Sequence, residues 1–346
     1  MSTTTVLHDC TLVDGTGADP VPDAVVVVTD GRIASADRAG AADEPSDAVR
    51  VDLRGNTLCP GFFDCHVHFG LPGSGAPPLD KALKPPSYGY FELLERLRTT
   101  LHDAARTRTR ELIRAGADVV KIASSGGVAS PNDDPSWLGL RREAIAAIVE
   151  EAANYGGRPV AAHAIGHAGI RAAVEGGVRS IEHGYALDDE LRHRMVEQGT
   201  FLVPTLLETM QPVTSSPASV AKSAKWHALA HDSLRASVAA GVRVALGTDA
   251  GLGPAHGTNL AELGLLVQFG GLSPMQAIVA GTLTSAQLCG LDATLGSVQP
   301  GKLADLVVVR GDPLADIGSL GDPENVLLVV KGGDVVGNRG GFALRS

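Results

Sequence analysis

Two kinds of hydrophobic pattern share the chain. From Thr5 to Asp52 short apolar runs are separated by turn dipeptides: Val6 to Leu12, then Asp14-Gly15, Ala24 to Val28, then Asp30-Gly31. Runs of this length bounded by Asp-Gly predict strands, and no helical period interrupts them. The C-terminal segment repeats the pattern with Asp305 to Val309, Arg310-Gly-Asp-Pro313, Val326 to Val330 and Lys331-Gly-Gly-Asp334. Neither end has enough strands to bury a core alone, so residues 1–57 and 296–346 are expected to pair into one small β-sandwich.

Between them, strand-length apolar runs alternate with amphipathic helical segments. The predicted strands are Leu58 to His66, Val119 to Ala123, Val160 to His163, Ser180 to His183, Phe201 to Thr205 and Val242 to Asp249. The predicted helices are Tyr90 to Arg114, Arg141 to Tyr155, Leu187 to Gln198 and Ser219 to Ala240. A βαβα alternation with continuously apolar strands implies a parallel sheet buried on both faces. The fold class is therefore α/β, with a TIM-type barrel over residues 58–295, and such barrels build their sites at the strand C-termini.

Composition narrows the functions. The formal charge is −10 and no basic run occurs, which excludes a nucleic-acid partner that needs clustered Lys and Arg. The first basic residue is Arg32, so no secretory signal is expected, and no apolar run approaches the roughly 18 residues that cross a bilayer. Cys10, Cys59, Cys65 and Cys289 form no CxxC pair, which fits a reducing cytoplasm.

The predicted strand ends carry the chemistry. Cys65-His66-Val67-His68 places two imidazoles at i and i+2, on one face of a strand. Alone, such a pair reads equally well as two satisfied or surface histidines, and Asp64 shares the face and is placed to orient a ring. His163, His183 and Asp249 end three further strands. Four histidines and an aspartate at one barrel end form a nitrogen and oxygen donor set that suits zinc or a similar first-row metal. Lys121 lies inside Asp118-Val-Val-Lys-Ile-Ala123. Burial there lowers a lysine pKa, and the neutral amine adds carbon dioxide to give a carbamate able to bridge two cations. Read alone, Lys121 is better taken as a lysine that snorkels or pairs with a carboxylate.

The set Pro60-Gly-Phe-Phe-Asp-Cys-His-Val-His68, Lys121, His163, Ile181-Glu-His-Gly184 and Gly247-Thr-Asp249 resembles the amidohydrolase superfamily, and Pro300-Gly-Lys-Leu-Ala-Asp-Leu-Val-Val308 is similar to its C-terminal signature. Lys121-Ile-Ala-Ser-Ser-Gly-Gly127 and Pro204-Thr205 resemble the branch of prolidase-like dipeptidases and imidazolonepropionase-like enzymes. The resemblance implies two divalent metals, with His66, His68 and Asp249 on one, His163 and His183 on the other, and a carbamylated Lys121 between them. It also implies a bridging hydroxide as nucleophile and Asp249 as the catalytic base and acid.

Departures from the pattern shape further expectations. The interval from His68 to Lys121 is 121 − 68 = 53 positions, too short for three strand–helix units of roughly 31 residues each. The barrel is expected to lack about two such units, near Ala104 to Arg108. Open edges then require a covering loop, the Tyr90 to Arg114 helix or a second copy of the chain. The arginine strand end and Gly-Gly-His loop of the branch are missing from this interval, and Ile165 stands where a tyrosine is common. Candidate substrate contacts are Ser124, Ser125, Gly126, Tyr185 and His256, while His167 is expected to cap or decorate a helix and Trp137, Trp226 and Tyr88 to pack. The expected activity is hydrolysis of a dipeptide or N-acyl amino acid; the alternatives are cyclic-amide hydrolysis and a metal-binding protein with impaired catalysis.

Overall fold

A computed structural model describes residues 3–41, 44–68, 101–128, 132–211, 217–251 and 256–343. The chain divides into two units, Met1–Cys65 with Gly257–Gln268 and Leu272–Ser346, and His66–His256 with Phe269–Gly271. Strands β1 (Thr4–Leu12), β2 (Val21–Thr29), β3 (Arg32–Arg38) and β4 (Val49–Pro60) belong to the first unit, β5 (Val120–Ala123), β6 (Val160–Ala164), β7 (Ser180–His183), β8 (Phe201–Val203) and β9 (Arg243–Val244) to the second, and β10 (Leu306–Val309), β11 (Val326–Lys331) and β12 (Asp334–Asn338) to the first again.

In the first unit the strands form one seven-stranded sheet in the order β12-β11-β10-β4-β1-β2-β3. Thr57 to Pro60 of β4 pairs antiparallel with Val309 to Leu306 of β10, and β4 runs parallel to β1 on its other side. Strands from both chain ends thus share a sheet, an arrangement compatible with the expected sandwich. The alternation within β2 explains its unbroken valines. Ala24, Val26 and Val28 pack with Leu7, Leu12, Leu53, Leu58, Leu306 and Val308, while Val25 and Val27 pack with Val6 on the opposite face. Burial on both faces demands an apolar residue at every position.

The second unit is a parallel sheet in sequence order, β5-β6-β7-β8-β9. Its helices are α1 (Leu101–Arg114), α2 (Arg142–Asn154), α3 (His167–Glu175), α4 (Asp189–Gln198), α5 (Leu206–Thr209) and α6 (Pro217–Ala239). Local chemistry sets the ends of α4. The Asp188 carboxylate accepts from the Leu191 N–H at 2.8 Å at its start, and Gly199, at φ 68°, takes the left-handed turn at its close.

Three expectations are corrected. Leu58 to His66 is not a barrel strand, because Leu58 to Pro60 completes β4 between β1 and β10. Residues 66–68 instead lie along the far end of the parallel sheet: Val67 bridges Ala250, His66 O accepts from the Thr248 and Asp249 N–H groups at 3.2 and 2.8 Å, and the His68 N–H donates to Ala250 O at 2.7 Å. The strand expected over Val242 to Asp249 is only Arg243–Val244, since the residues after it turn toward His66. The helix expected over Tyr90 to Arg114 is found over Leu101–Arg114, with Ala104 to Arg108 inside it, while Tyr88 and the stretch from Tyr90 to Thr100 lie outside the described residues. Trp137 is 59% exposed and does not pack as expected, whereas Trp226 is buried. Among the described residues no helix is long and apolar enough to cross a membrane.

Candidate metal centre

Three successive strand ends share an unusual backbone. His183 at the end of β7, Thr205 after β8 and Asp249 after β9 have φ values of 74°, 51° and 58°. Left-handed conformations are uncommon for residues with a Cβ and persist where the surroundings hold them.

His66, His68 and Asp249 offer ligand atoms that all lie within 4.8 Å of one another. Asp249 Oδ1 is 3.1 Å from His66 Nε2 and 2.9 Å from His68 Nε2. It is buried, yet no donor reaches it with hydrogen-bond geometry. A buried carboxylate oxygen this close to two ring nitrogens is a donor set that a cation, taking the place of a ring proton, would complete, so these residues fit a metal. The imidazoles continue in a row: the ring centroids of His66 and His68 are 5.4 Å apart, those of His66 and His183 5.2 Å, and those of His183 and His163 4.7 Å.

Three of the rings are each held through one nitrogen by a neighbouring oxygen. His66 Nδ1 lies 2.8 Å from Glu182 Oε2, whose partner oxygen Oε1 accepts from Ser180 Oγ at 2.6 Å. His183 Nδ1 lies 2.7 Å from Thr205 Oγ1, and His163 Nε2 lies 3.2 Å from Gly126 O. These contacts leave Nε2 of His66, Nε2 of His183 and Nδ1 of His163 as candidate ligand atoms, the arrangement in which an outer partner fixes the tautomer of a metal-binding histidine. Glu182 and Thr205 are absent from the sequence-based candidates for positioning. Asp64, the expected orienting group, instead accepts from Asn259 Nδ2 at 2.6 Å.

Lys121 Nζ lies 3.2 Å from His66 Nδ1 and 3.9 Å from Glu182 Oε2. Its side chain is 39% exposed, yet desolvation around the amine outweighs the pull of Glu182 and Asp249 and lowers its pKa below the ordinary lysine value. Burial likewise holds His163 down to about 4 and His183 well below the usual histidine range, so both are neutral and able to ligate. His66 goes the other way. Burial and Lys121 oppose its charge, but Asp249 and Glu182 prevail and raise it to about 9. For Asp249, burial pushes upward and the imidazoles of His66, His68 and His183 push it well below the usual carboxylate range.

The expected substrate contacts lie in varied settings. Ser124 Oγ donates to His163 O at 3.2 Å, and Ser125 Oγ accepts from the Ile165 N–H at 2.9 Å, so both hydroxyls tie the loop after β5 to β6. Gly126 is required sterically, since a Cβ there would stand 2.2 Å from both Asp133 Oδ1 and Asp134 O. Tyr185 is buried with its ring 5.7 Å from that of His183, His256 is exposed, and His167 opens α3 with Nε2 2.6 Å from Asp188 Oδ2. Sequence reasoning missed one more acid. Glu208 on α5 keeps Oε2 buried without a hydrogen-bond partner, and burial followed by the Asp249 charge raises its carboxyl to about 8. No motif marks it.

Comparison with known proteins agrees with this geometry. The model of the amidohydrolase family matches residues 99–336. Ochratoxinase from Aspergillus niger is 38% identical over 237 residues, covering 67% of this chain and 48% of that protein, so the chain spans about half the length of the curated relatives it matches. A solved prolidase complexed with N-methylphosphonate-L-proline superposes with a TM-score of 0.83 at 28% identity, covering 97% of this chain and 100% of that one. A Xaa-Pro dipeptidase with methionine bound in its active site gives 0.81 at 26% identity, covering 96% and 99%. With the matched family spanning α1 through β12 and the histidine and aspartate donors gathered at one end of its parallel sheet, the chain belongs to the amidohydrolase family.

Proposed function

We propose that the chain is a metal-dependent hydrolase of amide bonds that uses two divalent cations, zinc in the first place, and acts on dipeptides or N-acyl amino acids. The observation that carries this reading is the meeting of His66 Nε2, His68 Nε2 and Asp249 Oδ1, three ligand atoms within 4.8 Å of one another, at one end of a row of four imidazoles. The similarity to a prolidase and a Xaa-Pro dipeptidase supports the substrate class. The parallel sheet is read as part of an amidohydrolase-type barrel lacking about two strand–helix units.

His66, His68, His163, His183 and Asp249 would hold the cations, with Lys121 as a bridging ligand after its amine adds carbon dioxide and loses a proton to give the carbamate. The bound metals would polarise the scissile carbonyl and lower the pKa of water toward neutrality. The protein's own part is positional and protolytic. Glu182 and Thr205 fix the rings of His66 and His183. Asp249, held ionised by the surrounding imidazoles, accepts the proton of the attacking water and passes it to the leaving nitrogen. Tyr185, beside His183, and the loop of Ser124, Ser125 and Gly126 border the place a substrate would take, and His256 is proposed as an outer contact.

A screen of dipeptides, N-acyl amino acids and cyclic amides with zinc-reconstituted protein tests the reading. Turnover of the first two classes is expected. Turnover confined to cyclic amides replaces the substrate class, and no turnover of any amide by metal-loaded protein overturns the proposal.

A further inference from the structure

Glu208 is an acid at this end of the sheet that the mechanism above does not use. It sits on the single turn α5, three residues beyond Thr205, whose hydroxyl holds His183. Its Oε2 is buried and meets no hydrogen-bond donor, although its carboxyl is close enough to Asp249 and His66 for both charges to act on it. The neighbouring Thr209 hydroxyl is engaged elsewhere, donating to Leu206 O at 2.6 Å and lying 3.2 Å from His231 Nε2. A buried carboxyl oxygen without a donor is costly to keep, and the cost falls when a cationic donor arrives from outside the chain.

We infer that Glu208 is a specificity-determining residue that receives the ammonium of a substrate whose amine lies next to the scissile carbonyl. This rests on the proposed amide hydrolysis and divides its two substrate classes. In a dipeptide the α-amine is two bonds from the carbonyl carbon, so a carbonyl presented to His66 and Asp249 brings the ammonium into their neighbourhood. Cations at that centre repel it, and Glu208, whose raised carboxyl ionises as those cations and the ammonium approach, offsets the repulsion from the adjoining turn. An N-acyl amino acid has no charge at that place and leaves Glu208 Oε2 without a donor. The group recognised is a primary ammonium α to an amide carbonyl.

The test is a binding measurement, separate from turnover. L-Leucinamide and N-acetyl-L-leucinamide are titrated by calorimetry into the full-length protein as purified, into Glu208→Gln and into Glu208→Asp. The free amine is expected to bind the unaltered protein at least tenfold more tightly than its acetylated counterpart. That ratio is expected to fall to about one in Glu208→Gln, with affinity for the acetyl compound unchanged, and to survive in part in Glu208→Asp. Comparing the two ligands on each variant separates this role from misfolding and from direct coordination of the amine by a metal. An unaltered protein that binds neither ligand or shows no preference, or a Glu208→Gln variant that keeps the full preference, overturns the assignment. Failure to hydrolyse any amide overturns the proposed function instead, and the two results are read from different experiments.

Discussion

Replacing Glu182 with glutamine changes one charge and almost nothing else, which makes it the sharpest perturbation of the histidine row. Glu182 is buried, with Oε2 2.8 Å from His66 Nδ1 and Oε1 2.6 Å from Ser180 Oγ. Glutamine can still accept from His66 through its carbonyl and present its amide to the serine oxygen, so ring orientation is kept while the charge-assisted bond becomes a neutral one. Removing such an outer partner typically costs 10–100-fold in metal affinity, about 1.4–2.8 kcal/mol. Glu182→Gln belongs at the lower end of that range. Glu182→Ala belongs at the upper end, because it leaves His66 Nδ1 buried without its carboxylate and costs a further ~1–3 kcal/mol in fold stability. Zinc affinity is read by competition with a chromophoric chelator, and stability by thermal unfolding of the metal-free protein. Zinc affinity unchanged in both variants would refute the positioning role of Glu182.

Three other outcomes follow from the same geometry. Gly247→Ala places a Cβ 2.4 Å from Val203 Cγ1 and 2.9 Å from His66 Cβ; overpacking of this kind costs ~1–3 kcal/mol, so a lowered melting temperature together with weakened metal binding is expected, and an unchanged melting point contradicts it. Lys121→Ala should lower the metal content measured by elemental analysis and regain it in part with added short carboxylic acids, whereas full occupancy without them removes Lys121 from the bridge. Zinc uptake by the metal-free protein should strengthen as pH rises toward about 9, because the proton that Asp249 and Glu182 hold on His66 must leave before Nε2 can ligate; competition titrations from pH 6 to 9 that show constant affinity would contradict this.

How much of this was legible in the sequence depends on how local each feature is. The strands from Val120 to Val203 were read within a residue or two, because continuous apolar runs between capped helices leave little choice. Asp188 and Gly199 mark the ends of α4 by chemistry visible in the letters alone. The segment before His66 was misread because its apolar run serves two purposes: Leu58 to Pro60 satisfies the sheet of the chain ends, and only an isolated bridge at Val67 remains for the parallel sheet. Glu182 was missed for a subtler reason. Period-two alternation sets Glu182 and His183 on opposite faces of β7, and the left-handed turn at His183 allows both to serve the same row of rings. Such a turn at a residue with a Cβ leaves no sequence signal. Asp64 fails as the orienting group because nearness in sequence substitutes poorly for nearness across a parallel sheet, where His66 and Glu182, 116 positions apart, meet.

The central claim is that this end of the sheet is a hydrolytic metal centre, and a zinc titration followed by dipeptide turnover tests it most directly. Metal-free protein is given increasing equivalents of zinc, and the rate of peptide cleavage is recorded at each step. The account predicts no cleavage without zinc, a rise that levels off at two equivalents per chain, and loss of that rise when Asp249 is replaced by asparagine, by roughly 10²-fold or more for a positioned acid–base group. Cleavage by the metal-free protein at the full rate, or zinc bound at two equivalents with no cleavage of any peptide, would contradict it.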